Sequence, residues 1–458
     1  MATNVIVVFG DEMRGQAMGC AGDPNVSTPC LDSMASRGCR FPRAYSNTPV
    51  CTPARGTMLT GLWPTAHGAV VNDIAIRTDV TSIAHILNSH GYRCGYIGKW
   101  HLGGIPRYKF TPPGPERLGF DAYWAVWNCH HDYMNPRYYL DTPEPVVMEG
   151  YEPSVQTDLA MAFMDRHREQ DNEHPFCLFL SWGPPHSPYE PLPPGRETQY
   201  DPSALVLPPN CPDTPENRRH LAGYYAHISA LDAETQRLLD YLRANDLEKD
   251  TLVVFTSDHG SMLGSQGHTH KQRPWAESVV VPLIFYRPGA VPEGRVNKTL
   301  FSLLDFVPTL LGCLDLQVPP SMHGEDLSAC VRSGAMKEGR VLYLADLITT
   351  DQANHYGIKP WRGIKTERYT YACDTQGEWL LYDDERDPYQ LENLAGDPLA
   401  AETRASLHQE LQRQMERFGD RIMDVAEALE AWGLTEAFRI RTDHLYASPH
   451  NMGGRLPQ

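Results

Sequence analysis

The chain has 458 residues, 41% of them hydrophobic and 21% charged, with a formal net charge of −17. That length holds a large core and more than one domain or subdomain, while the acidic balance argues against nucleic acid as a partner, which wants a basic face. The same charge disfavours a densely sulfated polymer as substrate, so any anion site has to be a local positive pocket.

Eleven cysteines, an odd number with no CxxC spacing, read as reduced thiols and not as a disulfide framework. No signal-like segment precedes the first strand, and no apolar run approaches the roughly 20 residues of a membrane span. A cytoplasmic protein with no membrane partner is the expectation, and a periplasmic or secreted one whose signal has been removed would read the same.

In chain order, Val5-Ile6-Val7-Val8-Phe9 is an uninterrupted apolar run, the pattern of a strand buried on both faces of a parallel sheet. It leads into Asp11 and Glu12, adjacent carboxylates at a strand end, where α/β folds place ligands. Their mutual repulsion favours a bound cation, and oxygen donors suit a hard divalent ion. Thr28 before Pro29 reads as a capped helix start. Cys51-Thr52-Pro53-Ala54-Arg55 reads as another. Pro53 at the first helical position sets Cys51 beside free N–H groups at the positive end of the dipole. Arg55, one turn on, points back toward the same end, which suits an anion. Alone, such a motif is equally a turn before a buried structural cysteine. His67 reads as structural.

Residues 92–98 predict a strand that exits through Lys99-Trp100-His101, with Lys99 and His101 on one face of extended chain. Residues 105–150 are rich in Pro, Tyr and Trp, and Trp127 to Tyr133 gathers aromatics and histidines suited either to substrate contact or to packing. A helix is expected over 160–168 and a buried strand over 175–182. His186 then sits among prolines, where a rigidly held ring serves an acid or base. Residues 217–246 read as one long helix. Thr251–Ser257 is a third buried strand, and Asp258-His259-Gly260 again puts an acid at its end, completing an oxygen-rich cation site. His268, His270 and Lys271 precede a strand over 279–286, the two histidines as substrate-side additions. Residues 363–371 alternate like an antiparallel strand and, with 378–383, predict a small C-terminal sheet. A helix carrying Leu407, Leu411, Met415 and Phe418 covers it. The expected divisions are 1–345, 346–435 and a tail, 436–458, that wraps a neighbour or covers the pocket.

Taken in sequence, these stretches resemble the type I sulfatases of the alkaline phosphatase superfamily, from Asn4 to about Leu394. The match rests on Cys51, Pro53, Arg55, Thr60 and Gly61 of the Cys-x-Pro-x-Arg signature, on Gly98-Lys99-Trp100-His101-Leu102-Gly103, on Pro185-His186 before Pro188, on Asp258-His259, and on Lys271 ahead of Glu277-Ser278. Glu12 departs from the Asp-Asp usual in the family. The resemblance implies an α/β fold: a large mixed, mostly parallel sheet sandwiched by helices, with a small C-terminal antiparallel sheet plus helix. It implies that a maturation enzyme converts Cys51 to formylglycine (3-oxoalanine), whose hydrate attacks a carbohydrate, aryl or alkyl sulfate. The implied cation is Ca²⁺, with Mg²⁺ or Mn²⁺ as alternatives, on Asp11, Glu12, Cys51, Asp258 and His259. The implied catalytic set is Cys51, Arg55, Lys99, His101, His186 and Lys271. Of these, Arg55, Lys99 and Lys271 stabilise charge, Lys271 or His186 protonates the leaving oxygen, and His101 assists release of sulfate. A phosphonate or phosphate ester hydrolase of the same superfamily and a non-catalytic binder of sulfated ligands are the alternatives. The oligomeric state is left open.

Overall fold

The computed structural model describes residues 3–448. Five strands run parallel in the spatial order Thr251–Ser257, Asn4–Asp11, Phe176–Pro185, Arg93–Lys99, Tyr123–Trp127. Leu283–Tyr286 joins antiparallel beside Thr251–Ser257, and the short strands Cys39–Arg40 and Arg295–Val296 extend that edge to eight strands. The sheet is therefore mixed and mostly parallel, as expected.

The uninterrupted apolar runs follow from the layering. Val5, Val7 and Phe9 pack into one layer with Met58, Leu59, Ile83 and Phe306, while Ile6 and Val8 pack into the other with Phe163, Tyr224 and Ile228. Helices Cys51–Thr60, Ile83–Ser89 and Phe306–Cys313 cover the first face, and Pro29–Ser36, Glu152–Gln170 and Pro215–Ala244 the second. With both faces covered, no residue of a central strand needs to be polar until the strand leaves the sheet. It leaves at one carboxyl edge, where Gly10 is level with Ser257, Gly98 with Ser181, and Asp11 with Pro185. The chemistry-bearing residues that follow these strands are delivered to one place.

The helix Pro29–Ser36 starts where expected, but Thr28 makes no side-chain cap. Asp232 of the long helix accepts the N–H groups of Cys30 at 3.1 Å and Leu31 at 2.8 Å instead. It satisfies two of the donors that every helix leaves unpaired at its start.

Leu342–Asp346, Trp361–Lys365, Tyr369–Asp374 and Gly377–Asp383 form a four-stranded antiparallel sheet in sequence order. Leu407 and Leu411 of helix Ala401–Phe418 pack on its Tyr343, Ile364 and Tyr371. The stretch 363–371, expected as one strand, is a hairpin. Thr366 Oγ1 accepts the N–H of Tyr369 at 2.8 Å and Thr366 N–H donates to the Tyr369 carbonyl at 2.9 Å. A hydroxyl bonded to backbone nearby reverses the chain where alternation alone predicted continuity. The tail contributes a helix, Thr435–Ala447, and its part beyond residue 448 lies outside the described residues. All eleven cysteines are free, and among the described residues no helix is long and apolar enough to cross a membrane.

Candidate active site

The helix Cys51–Thr60 begins at Cys51 itself, so Pro53 is its third residue and not its first. Val50, extended, precedes it without a side-chain cap, and Asn72 Oδ1 takes the N–H of Thr52 at 2.9 Å. Every residue of the helix is buried, and Gly61 ends it at φ 67°, a left-handed position that glycine adopts without strain. His67 packs directly on this helix: a Cβ at Gly56 would lie 2.5 Å from the His67 ring. The ring accepts the N–H of Ala69 at Nδ1, 3.2 Å away, and its role is structural.

Cys51 Sγ lies 3.2 Å from His259 Nε2 and 3.6 Å from Asp11 Oδ1. Ligand atoms of Asp11, Cys51, Asp258 and His259 all fall within 4.8 Å of one another, and all four residues are buried. His259 Nδ1–H donates to the Gly260 carbonyl at 2.9 Å, which aims Nε2 at the group. Two carboxylates, an oriented imidazole and the side chain at position 51 fit a divalent cation. Beneath them, Arg55 Nε donates to Asp258 Oδ2 at 2.9 Å, and Nη1 donates to the Lys99 carbonyl at 2.9 Å and Ser181 Oγ at 2.7 Å. Lys99 pairs with Asp11. Burial pushes the Asp11 carboxyl up, but Lys99 and Arg55 hold it well below the usual carboxylate range. Burial and Asp11 push Asp258 up. At Cys51, burial and Asp11 oppose ionisation, yet Lys271, Lys99 and His259 bring the thiol well below its ordinary value. The pocket thus favours negative charge at position 51.

Glu12 lies outside that four-donor group but forms, with Asp11 and His186, a second buried set whose ligand atoms fall within 4.8 Å of one another. At φ 66°, it sends Oε2 to Lys271 Nζ, 3.0 Å away. Lys271 Nζ also donates to His186 Nε2 at 2.7 Å, and His186 Nδ1–H donates to the Ser187 carbonyl at 2.7 Å. That tautomer is neutral, and burial and Lys271 keep His186 well below its ordinary pKa. Burial lowers the Lys271 pKa, but Cys51 and Glu12 raise it above its ordinary value, so the ammonium carries the proton of this pair.

His101 Nε2–H donates to Asp73 Oδ1 at 3.1 Å, and its Nδ1 is buried without a hydrogen-bond partner among the described residues. Burial opposes its charge, but Cys129 and Asp73 bring its pKa up to about 10. Arg107 grips Asp73 through Nε and Nη2, each at 2.8 Å. Arg441 of the C-terminal helix donates from Nε to the Asn72 carbonyl at 2.7 Å and places Nη2 3.7 Å from Asp73. No sequence pattern marks Asp73, Arg107 or Arg441. They lie in two loops and the tail, and no strand end points to them.

A cavity of about 570 Å³ opens over His186, its wall including Arg107, His131, Tyr189, Arg219 and His270. His131 stacks on His186 with centroids 4.4 Å apart, whereas His130 faces Glu152 at 3.4 Å. The two neighbouring histidines thus divide between cavity and packing. His268 stacks on Trp275 at 5.0 Å, and His270 reaches the cavity.

A doubly covered sheet that gathers acids and cations at one carboxyl edge is the build of the alkaline phosphatase superfamily. A family model described as Sulfatase matches residues 3–316, and one described as N-sulphoglucosamine sulphohydrolase, C-terminal, matches residues 264–417. The chain belongs to the sulfatase family and is a sulfuric ester hydrolase. An ulvan-active sulfatase of Formosa agariphila is 36% identical over 426 residues, 91% of this chain and 82% of that protein. An N-acetylglucosamine-6-O-sulfatase of Bacteroides thetaiotaomicron is 23% identical, over 93% of this chain and 88% of that protein. The solved structure of the sulfatase yidJ from Bacteroides fragilis matches with a TM-score of 0.83 at 28% identity, over 92% of this chain and 96% of that one.

Proposed function

We propose that the protein hydrolyses a sulfate monoester on a sugar, using a formylglycine formed from Cys51 and a divalent cation, Ca²⁺ in the first instance. Asp11, Asp258, His259 and the side chain at position 51 would hold the ion. The observation that carries the reading is the buried juxtaposition of Cys51 with two carboxylates, an imidazole and the cations Lys99 and Lys271. The cation would supply Lewis acidity toward the attacking hydroxyl and the sulfuryl oxygens, and the aldehyde hydrate would supply that hydroxyl and a second one whose loss of a proton would re-form the carbonyl as sulfate leaves on the first oxygen.

The chain's own residues do the rest. Lys99 and Lys271 are fixed before substrate arrives, so they stabilise charge building on the sulfuryl oxygens without reorganising. Arg55, pinned to Asp258 and to the Lys99 carbonyl, keeps acids and cations in register. Lys271 gives its proton to the leaving oxygen, and the neutral His186 beside it orients the ammonium and accepts from it. His101, protonated against Asp73, offers Nδ1–H as a further donor. A sugar substrate is supported by the relative named as an N-acetylglucosamine-6-O-sulfatase and by a cavity far larger than a sulfate group.

The deciding experiment is the mass of the tryptic peptide Ala44 to Arg55 from protein made alongside a formylglycine-generating enzyme, followed by sulfate release from sulfated monosaccharides. A lighter, aldehyde-reactive peptide and released sulfate are expected. A peptide at the thiol mass overturns the nucleophile assignment, and faster turnover of phosphonate monoesters than of any sulfate ester overturns the substrate class. Unchanged turnover in Lys271→Ala and His186→Ala would sink the leaving-group assignment.

A further inference from the structure

The cavity over His186 holds more anion-binding groups than one sulfate needs: two arginines and four histidines stand in its wall with a single carboxylate, Glu190. Burial lowers the pKa of His131, His186, His220 and His270, so the histidines serve as neutral N–H donors and the positive charge comes from the arginines. The two arginines are not equivalent. Arg107 is committed to Asp73 through two hydrogen bonds. His186 is neutral and committed to Lys271, and His131 is stacked upon it. Arg219 and His220 stand apart, on the opening turns of helix Pro215–Ala244.

Arg218, one residue earlier, is tied down by Asp213 and by the carbonyls of Pro202, Ser203 and Leu205. Arg219 makes no hydrogen bond or ion pair among the described residues, and it faces the cavity. His220 is set beside it by the Tyr189 ring, centroids 5.3 Å apart. Tyr189 comes from the segment that also delivers His186, so the spacing between this pair and the proton-donating group is fixed by the fold. A guanidinium with its N–H fork uncommitted matches a carboxylate or sulfate through paired hydrogen bonds. Cavities of this size take a ligand of several hundred cubic ångströms, well beyond a single sulfate.

We propose that Arg219, with His220, forms a second anion subsite that receives a carboxylate or a further sulfate on the sugar beyond the scissile sulfate. The substrate class is then a short sulfated oligosaccharide with at least two anionic groups. This rests on the sugar-sulfatase reading above. It is also compatible with the overall acidity, because one pocket, and not the whole surface, meets the polyanion.

The test reads binding and not turnover. Three probes are titrated by calorimetry into Cys51→Ala protein with and without Arg219→Ala: a monosulfated disaccharide bearing a uronate, the same disaccharide with the uronate reduced to a neutral sugar, and a disulfated disaccharide lacking the uronate. Arg219→Ala is expected to weaken at least one of the two doubly anionic probes by about tenfold or more, with Arg219→Lys recovering part of the loss. The neutral-tailed probe should lose less than about twofold, since tenfold corresponds to 1.4 kcal/mol of selective contact. Which doubly anionic probe responds tells a carboxylate from a sulfate. Equal losses on all three probes, no loss on any, or no binding of any to the parent protein would overturn the subsite. The peptide mass and sulfate release judge the sulfatase reading separately.

Discussion

Replacing Arg55 by Met tests whether the buried charge cluster is held together as described. The Arg55 side chain is 1% exposed and donates to Asp258, Ser181 and the Lys99 carbonyl, with Asp11 at 3.5 Å. Methionine fills much of the volume but leaves Asp258 buried without its guanidinium. Breaking one side of a buried pair costs about 3–5 kcal/mol. Unfolding entropy of about 2.1 cal/mol/K per residue over 458 residues makes 1 kcal/mol worth about one degree, so the melting midpoint should fall by about 3–5 °C. A denaturant midpoint in chelator is the cleaner reading. Saturating Ca²⁺ should shrink the difference, because an ion among Asp11, Asp258 and His259 neutralises the same carboxylates. A loss below about 1 kcal/mol in chelator, or one that widens on adding Ca²⁺, would refute the reasoning.

Three further outcomes follow from individual side chains. His67 is buried and its pKa is lowered to about 3, from an ordinary 6.5. Its unfolded form therefore takes up a proton that the folded form refuses, and stability is lost as pH falls from 6.5 toward 3. By pH 5 the loss is about 2 kcal/mol, and denaturant midpoints of His67→Gln should lack that part of the pH dependence. Asp73→Asn removes a carboxylate that helps hold His101 at about 10. The His101 pKa falls, and the alkaline limb of kcat against pH should move to lower pH while an unchanged limb would exclude His101 from the reaction. Gly56→Ala drives a Cβ to within 2.5 Å of the His67 ring. Overpacking of that kind costs about 1–3 kcal/mol, measurable as a lower midpoint with normal metal binding.

The legible parts of the molecule share one cause. The central parallel strands are mostly apolar along their length, so the charged residues and histidine that follow Phe9, Ile97, Trp182 and Ser257 mark the carboxyl edge. Asp11, Lys99, His186 and Asp258 were therefore visible as candidates before any coordinates, and the structure gathers them at that edge. Position 51 was visible through its motif. What escaped depends on partners distant in sequence and on no pattern of its own. The cap on Pro29–Ser36 comes from Asp232, 202 positions from Cys30. The hairpin inside 363–371 depends on one hydroxyl, Thr366. Glu12 reads as a cation ligand by its place after Asp11, but no pattern shows that its backbone at φ 66° also brings its carboxylate to Lys271, 3.0 Å away. Asp73 carries no signal because its meaning lies in Arg107 and Arg441, the latter in a stretch that showed no pattern at all.

That last contact ties the reactive centre to the helix Thr435–Ala447. Arg441 bridges 369 positions to reach Asn72, and Phe438 of its helix packs, partly buried, against the apolar cluster shared by the small sheet and its covering helices. Terminal helices of this kind open at free energies far below that of global unfolding. Whenever this one opens, Asp73 loses a cation and His101 loses part of its support, while the eight-stranded sheet stays intact. Heat, a protease or a bulky tag at that end should then silence the enzyme at a temperature where the core still gives its full circular-dichroism signal. The temperature of inactivation and the temperature of melting become two separate properties of the molecule, and binding anything that clamps the helix would bring them together.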